Sequence, residues 1–422
     1  MAMNKTDIYV YSHWEDFEIP QLMGVLSAHQ AKGRKAFSFS YDKQWLKLDQ
    51  QHLIDPDLQL YTGQQFSNNK ENFGVFLDSM PDTWGRTLMK RREALLAKIS
   101  GEKAKTLYDI DYLLGVYDET RMGAIRFKLD PDGEFLDNDS EKSTPPWSTI
   151  QKLQQAVIHY ENDTDMEAMN KWLQVLVAPG SSLGGARPKA NIIDEHKHLW
   201  IAKFPSKNDT IDKAAWEFLA YQLALKAGIK MAECKIEKVS GQFHTFFTKR
   251  FDRIGIERVH FASAMTMTGN NEETIKKHPA SYLDLVEFIQ DNGTNVNENL
   301  EQLWRRIIFN IAISNTDDHL RNHGFILTNE GWILSPAYDL NPSIDKDGLA
   351  LNIDMDDNAL DFELAKSVGI YFRLIPEQMQ SIIKEVVDAV GNWKEIAHTI
   401  GIPRTEQELM SKAFKIEIEY KR

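Results

Sequence analysis

Hydrophobic residues near the start of the chain recur with a period of two. Ile8 and Val10 alternate with Tyr9 and Tyr11, and Phe37, Phe39 and Tyr41 alternate with Ser38 and Ser40. Both patterns predict strands with one buried face. Over 73–99 the spacing becomes helical, interrupted at Met80-Pro81, because proline cannot continue a helix from the preceding turn. Ile125 and Phe127, between Arg126 and Lys128, predict a closing strand. Residues 130–146, DPDGEFLDNDSEKSTPP, offer little to bury and read as a linker or long loop, which sets a domain boundary near residue 140.

Downstream, helical sequence is expected around 150–160 and 166–177, followed by the small-residue stretch SSLGGARPKANI. HLWIAKF reads as a strand ended by Pro205, and a helix is expected over about 210–227, stopped by Gly228. CKIEKV and FHTFFTKRF flank Ser240-Gly241-Gln242, a hairpin signal. From Ser281 the pattern is mainly helical, as in LWRRIIFNIAI and EQMQSIIKEVVDAV. Trp200, Trp216 and Trp304 sit in apolar periodic runs and are expected in the core. The expected class is α+β: a small mixed α/β N-terminal domain, then a bilobal, protein-kinase-like plan whose C-terminal lobe is mostly helical. The expected boundaries are 1–140, 141–257 for the first lobe with its nucleotide loop, and 258–422 for the helical lobe.

Composition narrows the classes. A chain of 422 residues with 42% hydrophobic and 26% charged residues is ordinary for a soluble protein of two or three domains. The single cysteine, Cys234, forms no internal disulfide and makes no zinc site by itself, which suits a reducing cytosol. The formal charge of −13 repels DNA unless a basic patch or a basic partner overrides it. The start, MAMNKTDIYVYSHWEDFEI, lacks the apolar core of a signal peptide, and no run approaches the ~18 apolar residues of a membrane helix. A cytoplasmic protein is expected.

Phosphoryl transfer needs a carboxylate to orient the attacking hydroxyl, metal ligands, a cation on the phosphates and a loop over them. NTDDHLRNHGF, at 315–325, follows a largely apolar helix and offers Asp317 as the carboxylate, with Asn322 close enough to serve the same phosphate. SPAYDLNP places Asp339 after a short strand, and Asn322 and Asp339 carry oxygens suited to Mg²⁺. Taken singly, each of these residues is as well explained as a turn former. Lys203 lies between apolar neighbours late in its strand, and Glu217 on the next helix is its natural partner; a snorkelling lysine and a solvated glutamate are the plainer reading. In the loop at 180–189, Gly184 and Gly185 permit close backbone approach to phosphate, and Arg187 and Lys189 add charge; alone, this is equally a surface turn. His319 and His323 lack the glutamate of an HExxH zinc motif.

In this order, SSLGGARPKANI, WIAKF, TKRFDR, NTDDHLRNHGF and SPAYDLNP resemble the HipA family of toxin kinases. FLDSMPDTWGRTLMKRR and YDIDYLLGVYDETRMGAIRF resemble that family's N-terminal accessory domain, so the likeness spans nearly the whole chain. It implies an ATP- and Mg²⁺-dependent serine/threonine-protein kinase with Asp317 as catalytic residue, Asn322 and Asp339 on the metal, and Lys203 on the nucleotide phosphates. Lys249 and Phe251 match the segment that holds adenine. Ser182 matches an autophosphorylated loop serine, with Ser181 beside it as the alternative. The resemblance further implies a HipB-like helix-turn-helix antitoxin as partner, DNA contact only through that antitoxin, and a translation component, notably an aminoacyl-tRNA synthetase, as substrate. The sequence departs from the family in three places: GGARPK replaces a Gln-Glu before the lysine, Lys249 an acidic residue of some members, and Asp318 a glycine. Two other readings remain open: a small-molecule kinase, and a catalytically quiet antitoxin-binding module acting in transcriptional autoregulation.

Overall fold

The computed structural model describes residues 4–416 apart from 15–16, 32–33, 49–50, 69, 71, 140–142, 163–171, 174, 177–179, 181–184 and 186. Most of the helix expected over 166–177 lies outside the described residues, as do Ser181, Ser182 and Gly184. The chain divides into two compact units. The first comprises Met1–Asn208, Val239–Gly241 and Lys249–Ala262; the second comprises Asp209–Lys238, Gln242–Thr248 and Ser263–Arg422.

The first unit begins with an antiparallel sheet. Strands β1 (Asn4–Ser12), β2 (Gln21–Ala31), β3 (Arg34–Tyr41), β4 (Gln65–Phe66) and β5 (Ile125–Lys128) take the order β4-β3-β2-β1-β5. The period-two residues Ile8, Val10, Phe39 and Phe127 are fully buried. Phe76, on the short helix Gly74–Asp78, packs 5.6 Å from Phe39 and 6.0 Å from Phe127. Asp55 holds the start of that helix by accepting the Val75 N–H at 2.9 Å. Pro81 separates it from the helix Thr83–Ser100, which Gly101 ends in the left-handed region at φ 71°. Part of the expected linker is docked rather than free. Leu136 N–H donates to Phe127 O at 2.8 Å, and Asp137 exchanges backbone bonds with Val116 and Asp118 at 2.9 Å. The same unit holds the helix Ile150–Asn162 and the antiparallel strands Lys189–Ile193 and Leu199–Lys203.

A buried charged hub joins residues 118–126 to 250–258. Asp252 is fully buried and accepts from Arg250 at 2.5 and 2.8 Å, from Arg253 at 2.8 Å and from Gly123 N–H at 2.8 Å. Asp118 takes Arg126 and Arg258 in the same way. Burial alone would raise the Asp252 carboxyl, but Arg250 and Arg253 outweigh it and hold it well below the usual carboxylate range. A depressed folded-state pKa contributes stability above the unfolded value of about 4 and loses it as pH falls through the folded value. Acid will therefore destabilise this unit progressively below about pH 4. Asp252→Asn will cost about 3 kcal/mol at pH 7 and flatten that decline. Urea midpoints measured at several pH values check both; an unchanged acid slope in the variant would remove Asp252 from the account.

In the second unit, the helix Lys213–Lys226 starts at Asp212, whose carboxylate caps Ala215 N–H at 3.1 Å. The strands Cys234–Glu237 and Thr245–Lys249 pair antiparallel as the hairpin signal predicted, but their pairing starts at Glu237 and Thr245, so the connection is longer than the Ser-Gly-Gln turn. The long helix Val296–Ala312 is buried along most of its length and packs against Pro376–Gly391 and Tyr282–Asn292. Trp200, Trp216 and Trp304 are all buried, as their periodic settings predicted. Among the described residues, no helix is long and apolar enough to cross a membrane.

Candidate functional site

The helix Val296–Ala312 delivers the chain into 315–323, and the entry is sharply turned: Ser314 has a φ of 51°. Left-handed backbone at a residue other than glycine costs energy and persists only where its surroundings enforce it. Asn315 N–H returns to Asn310 O at 2.8 Å, and Asn315 Nδ2 donates to Asn310 Oδ1 at 3.0 Å. The neighbouring aspartates then part company. The Asp317 side chain is 75% exposed, with Lys346 Nζ 3.9 Å away. The Asp318 side chain is 1% exposed. Its Oδ2 accepts from Tyr282 Oη, from Asn310 Nδ2 at 2.7 Å and from His323 Nε2 at 2.7 Å. A carboxylate can only accept, so His323 carries its proton on Nε2. Burial first, then the Asp318 charge, pushes the Tyr282 phenol well above its ordinary value, which keeps it a donor.

Asn322 is buried, and its Nδ2 donates to Asp317 O at 3.0 Å. That bond orients the amide and reserves Oδ1 as the atom able to meet a cation. Asp339 follows the hairpin Gly324–Thr328/Gly331–Leu334 and has a φ of 59°. Asn341 Nδ2 approaches its Oδ1 at 3.3 Å, while Tyr338 Oη donates to Arg321 O at 2.9 Å and ties this segment to the loop. The donors on offer, an amide oxygen and a carboxylate, match a hard divalent cation that keeps most of its waters. Glu217 is buried on the helix Lys213–Lys226 in this same unit.

The first unit holds the other candidates. Lys189 and Lys203 are direct cross-strand partners, so both side chains leave the same face of the hairpin. Like charges directly opposite one another are unfavourable on their own, and two ammonium groups on one face suit a polyanion. Gly185, at φ 70°, lies against Lys189: a Cβ there would stand 2.6 Å from Lys189 Nζ. Arg187 is half-buried in the same stretch. Lys249 and Phe251 are half-buried and alternate with the buried Arg250 and Asp252. Arg250 N–H donates to Leu199 O at 2.9 Å, joining this segment to the strand that carries Lys203.

The sequence did not point to Tyr282 and Asn310 as supports of the 315–323 loop, or to Asp82 and Trp84 as supports of the stretch at 185–189. Tyr282, Asp82 and Trp84 reach their partners across long sequence separations, and Asn310, five and eight positions from Asn315 and Asp318, carries no local pattern that marks it.

The family model of the HipA-like C-terminal domain matches residues 181–393, half of the chain. No curated protein matches the chain. Among solved structures, it is similar to HipA from the Shewanella oneidensis MR-1 toxin–antitoxin complex of HipA, HipB and operator DNA. The identity is 19%, over 96% of this chain and 94% of that one, with a TM-score of 0.65. The Helicobacter pylori proinflammatory kinase CtkA overlaps 50% of this chain and 93% of its own at 13% identity, with a TM-score of 0.33, too distant to argue from. The Shewanella likeness shows the expected α+β, bilobal, kinase-like fold. With the family model spanning half of its residues, the chain belongs to the HipA family.

Proposed function

We propose that the chain is an ATP- and magnesium-dependent protein serine/threonine kinase and the toxin of a HipA/HipB-like pair. The observation that carries this reading is the division of labour within 317–323. Asp317 faces solvent on a loop whose neighbours Asp318, Asn322 and His323 are buried and hydrogen-bonded. A carboxylate held outward on a rigid loop is suited to orienting a seryl or threonyl hydroxyl and taking its proton. The hydroxyl oxygen bonds to the γ-phosphorus as the bond to the β,γ-bridging oxygen breaks, and ADP leaves with that electron pair.

Asn322 Oδ1 and the Asp339 carboxylate would hold Mg²⁺, which when bound neutralises phosphate charge. Lys203, with Glu217, serves the nucleotide phosphates, and Lys189 and Arg187 add charge there. Gly184 and Gly185 let the backbone approach the phosphates, and the 249–251 segment, with Lys249 and Phe251, takes adenine. Ser182, or Ser181, is the autophosphorylation site. A phosphoserine adds about −1.5 to −2 charges, competes with ATP for Arg187 and Lys189, and so switches the kinase off. Residues 1–140 form an accessory domain ahead of the lobes 141–257 and 258–422.

The partner is a basic helix-turn-helix antitoxin, consistent with the HipB and operator DNA of the Shewanella complex. The charge of −13 leaves DNA contact to that partner. The substrate is a translation component of the aminoacyl-tRNA synthetase class.

The first step is tested by calorimetric binding of ATP with Mg²⁺. Wild-type chain will bind, and Lys203→Ala will weaken binding about tenfold or more, the loss of a charge-assisted phosphate contact. Unchanged affinity in a folded Lys203→Ala protein would make Lys203 structural, and no binding by the wild type would remove the kinase reading.

A further inference from the structure

We propose that residues 82–84 and 119–123 of the N-terminal segment are built into the nucleotide cradle, with Asp82 and Trp84 as positioning residues for ATP. This rests on the nucleotide reading of 185–203 and 249–251 given above.

Two sets of bonds carry it, both within the first unit. At one end, Asp82 occupies the N-cap of the helix Thr83–Ser100 but makes no side-chain cap to it. A capping aspartate ordinarily contributes about 1 kcal/mol to its helix. Here Oδ2 accepts instead from Gly185 N–H at 3.2 Å, 103 positions away. Trp84 spends both of its N–H groups on the same stretch: the backbone N–H on Gly185 O at 2.9 Å and the indole Nε1–H on Lys189 O at 2.8 Å. Three bonds thus fix the backbone that places Gly185 against Lys189 Nζ.

At the other end, just past the strand Thr245–Lys249, burial alternates: Lys249 and Phe251 are half-buried, and Arg250 and Asp252 are buried. The Arg250 guanidinium donates to Thr120 O at 2.6 Å, to Arg121 O at 3.3 Å and to Asn191 Oδ1 at 3.2 Å. Asp252 accepts Gly123 N–H at 2.8 Å. Gly123 has a φ of 72°, and the bonds from Arg250 and Asp252 fasten the turn at 119–123 to residues 250–252, next to the adenine segment. The strand Leu199–Lys203 joins the two ends. It pairs with Lys189–Ile193 on one side and takes the Arg250 N–H through Leu199 O. A displacement of the N-terminal segment therefore moves the phosphate loop and the adenine segment together. By linkage, a ligand that favours one position of that segment changes ATP affinity, and ATP changes the affinity of that ligand by the same factor.

Asp82 is only half-buried and does not cap its helix, so Asp82→Ala will fold. Its KM and dissociation constant for Mg·ATP will rise about tenfold, the order expected for a modest misplacement of a binding loop, while kcat at saturating ATP stays within about twofold. Asp82→Asn keeps an oxygen acceptor and will recover most of the affinity. A merely structural Asp82 would lower the melting temperature and leave KM unchanged, and that result would overturn the proposal. Hydrogen exchange on the wild-type chain gives an independent reading. Mg·ATP will slow exchange at 185–189 and 249–251 and also at 84 and 119–123. Protection of the first two stretches alone would overturn the proposal and leave the nucleotide reading standing; protection of neither would overturn both.

Discussion

Asp317→Asn will fold normally, bind Mg·ATP as the wild type does, and transfer phosphate to protein at least about 10²-fold more slowly. The fold is spared because the Asp317 side chain is 75% exposed and Lys346 stands 3.9 Å off. The backbone of the loop is also untouched: Asp317 contributes its carbonyl, not its carboxylate, to the bond from Asn322. The asparagine can still lie beside a hydroxyl but takes no proton and offers a weaker acceptor, so the loss appears in kcat and not in nucleotide affinity. Circular dichroism, ATP calorimetry and single-turnover transfer separate these terms. A folded Asp317→Asn protein with wild-type transfer would show that the carboxylate does not take part.

Asp318→Ala, one residue away, will fail for the opposite reason. Its Oδ2 is the shared acceptor for the Tyr282 hydroxyl, the Asn310 amide and the His323 ring, all buried. Removing it strands three donors without water. Breaking a buried charged partner typically costs about 3–5 kcal/mol, which for a unit of this size lowers the melting temperature by roughly 10 °C. Transfer will fall as well, because Asn310 holds Asn315 at one end of the loop and His323 adjoins Asn322 at the other. Asp318→Asn replaces an acceptor-only group by one that also donates and will lie between the two. Thermal denaturation and transfer measured together check this; a loss of stability below about 1 kcal/mol would contradict the role given to Asp318.

These neighbours show how far the sequence could be read. NTDDHLRNHGF singles out one loop, yet two adjacent aspartates look alike in one dimension. Which one faces solvent depends on Tyr282, 36 positions away, and on Asn310, on the helix that precedes the loop. Strands with one buried face, such as β1 and β3, and helices with clear stops, such as Lys213–Lys226 before Gly228, were legible because their signal is local periodicity. β2 was not singled out: QLMGVLSAHQA mixes both faces, and its place between β1 and β3 is set by pairing. The stretch at 130–146 looked free because its composition is polar, yet Leu136 and Asp137 dock through backbone bonds that composition does not reveal. Trp84 is buried, and the destination of its indole N–H on Lys189 O has no sequence signal.

The Lys189–Lys203 pairing shows the reverse case. Each lysine had an ordinary explanation as a strand-edge or loop cation. Their direct opposition on one face, with Gly185 alongside, is what gives the phosphate reading its physical content. On the proposed reading, the hairpin lysines would supply the charge and the loop the close backbone approach.

The central claim is transfer of the ATP γ-phosphate to protein serine or threonine. Incubating the purified chain with γ-labelled ATP, Mg²⁺ and a cytosolic lysate, and then mapping the label by mass spectrometry, tests it most directly. The account predicts Mg²⁺-dependent label on seryl or threonyl residues of a protein, abolished by Asp317→Asn. Label appearing only on small molecules, or protein label that persists with Asp317→Asn, would contradict it.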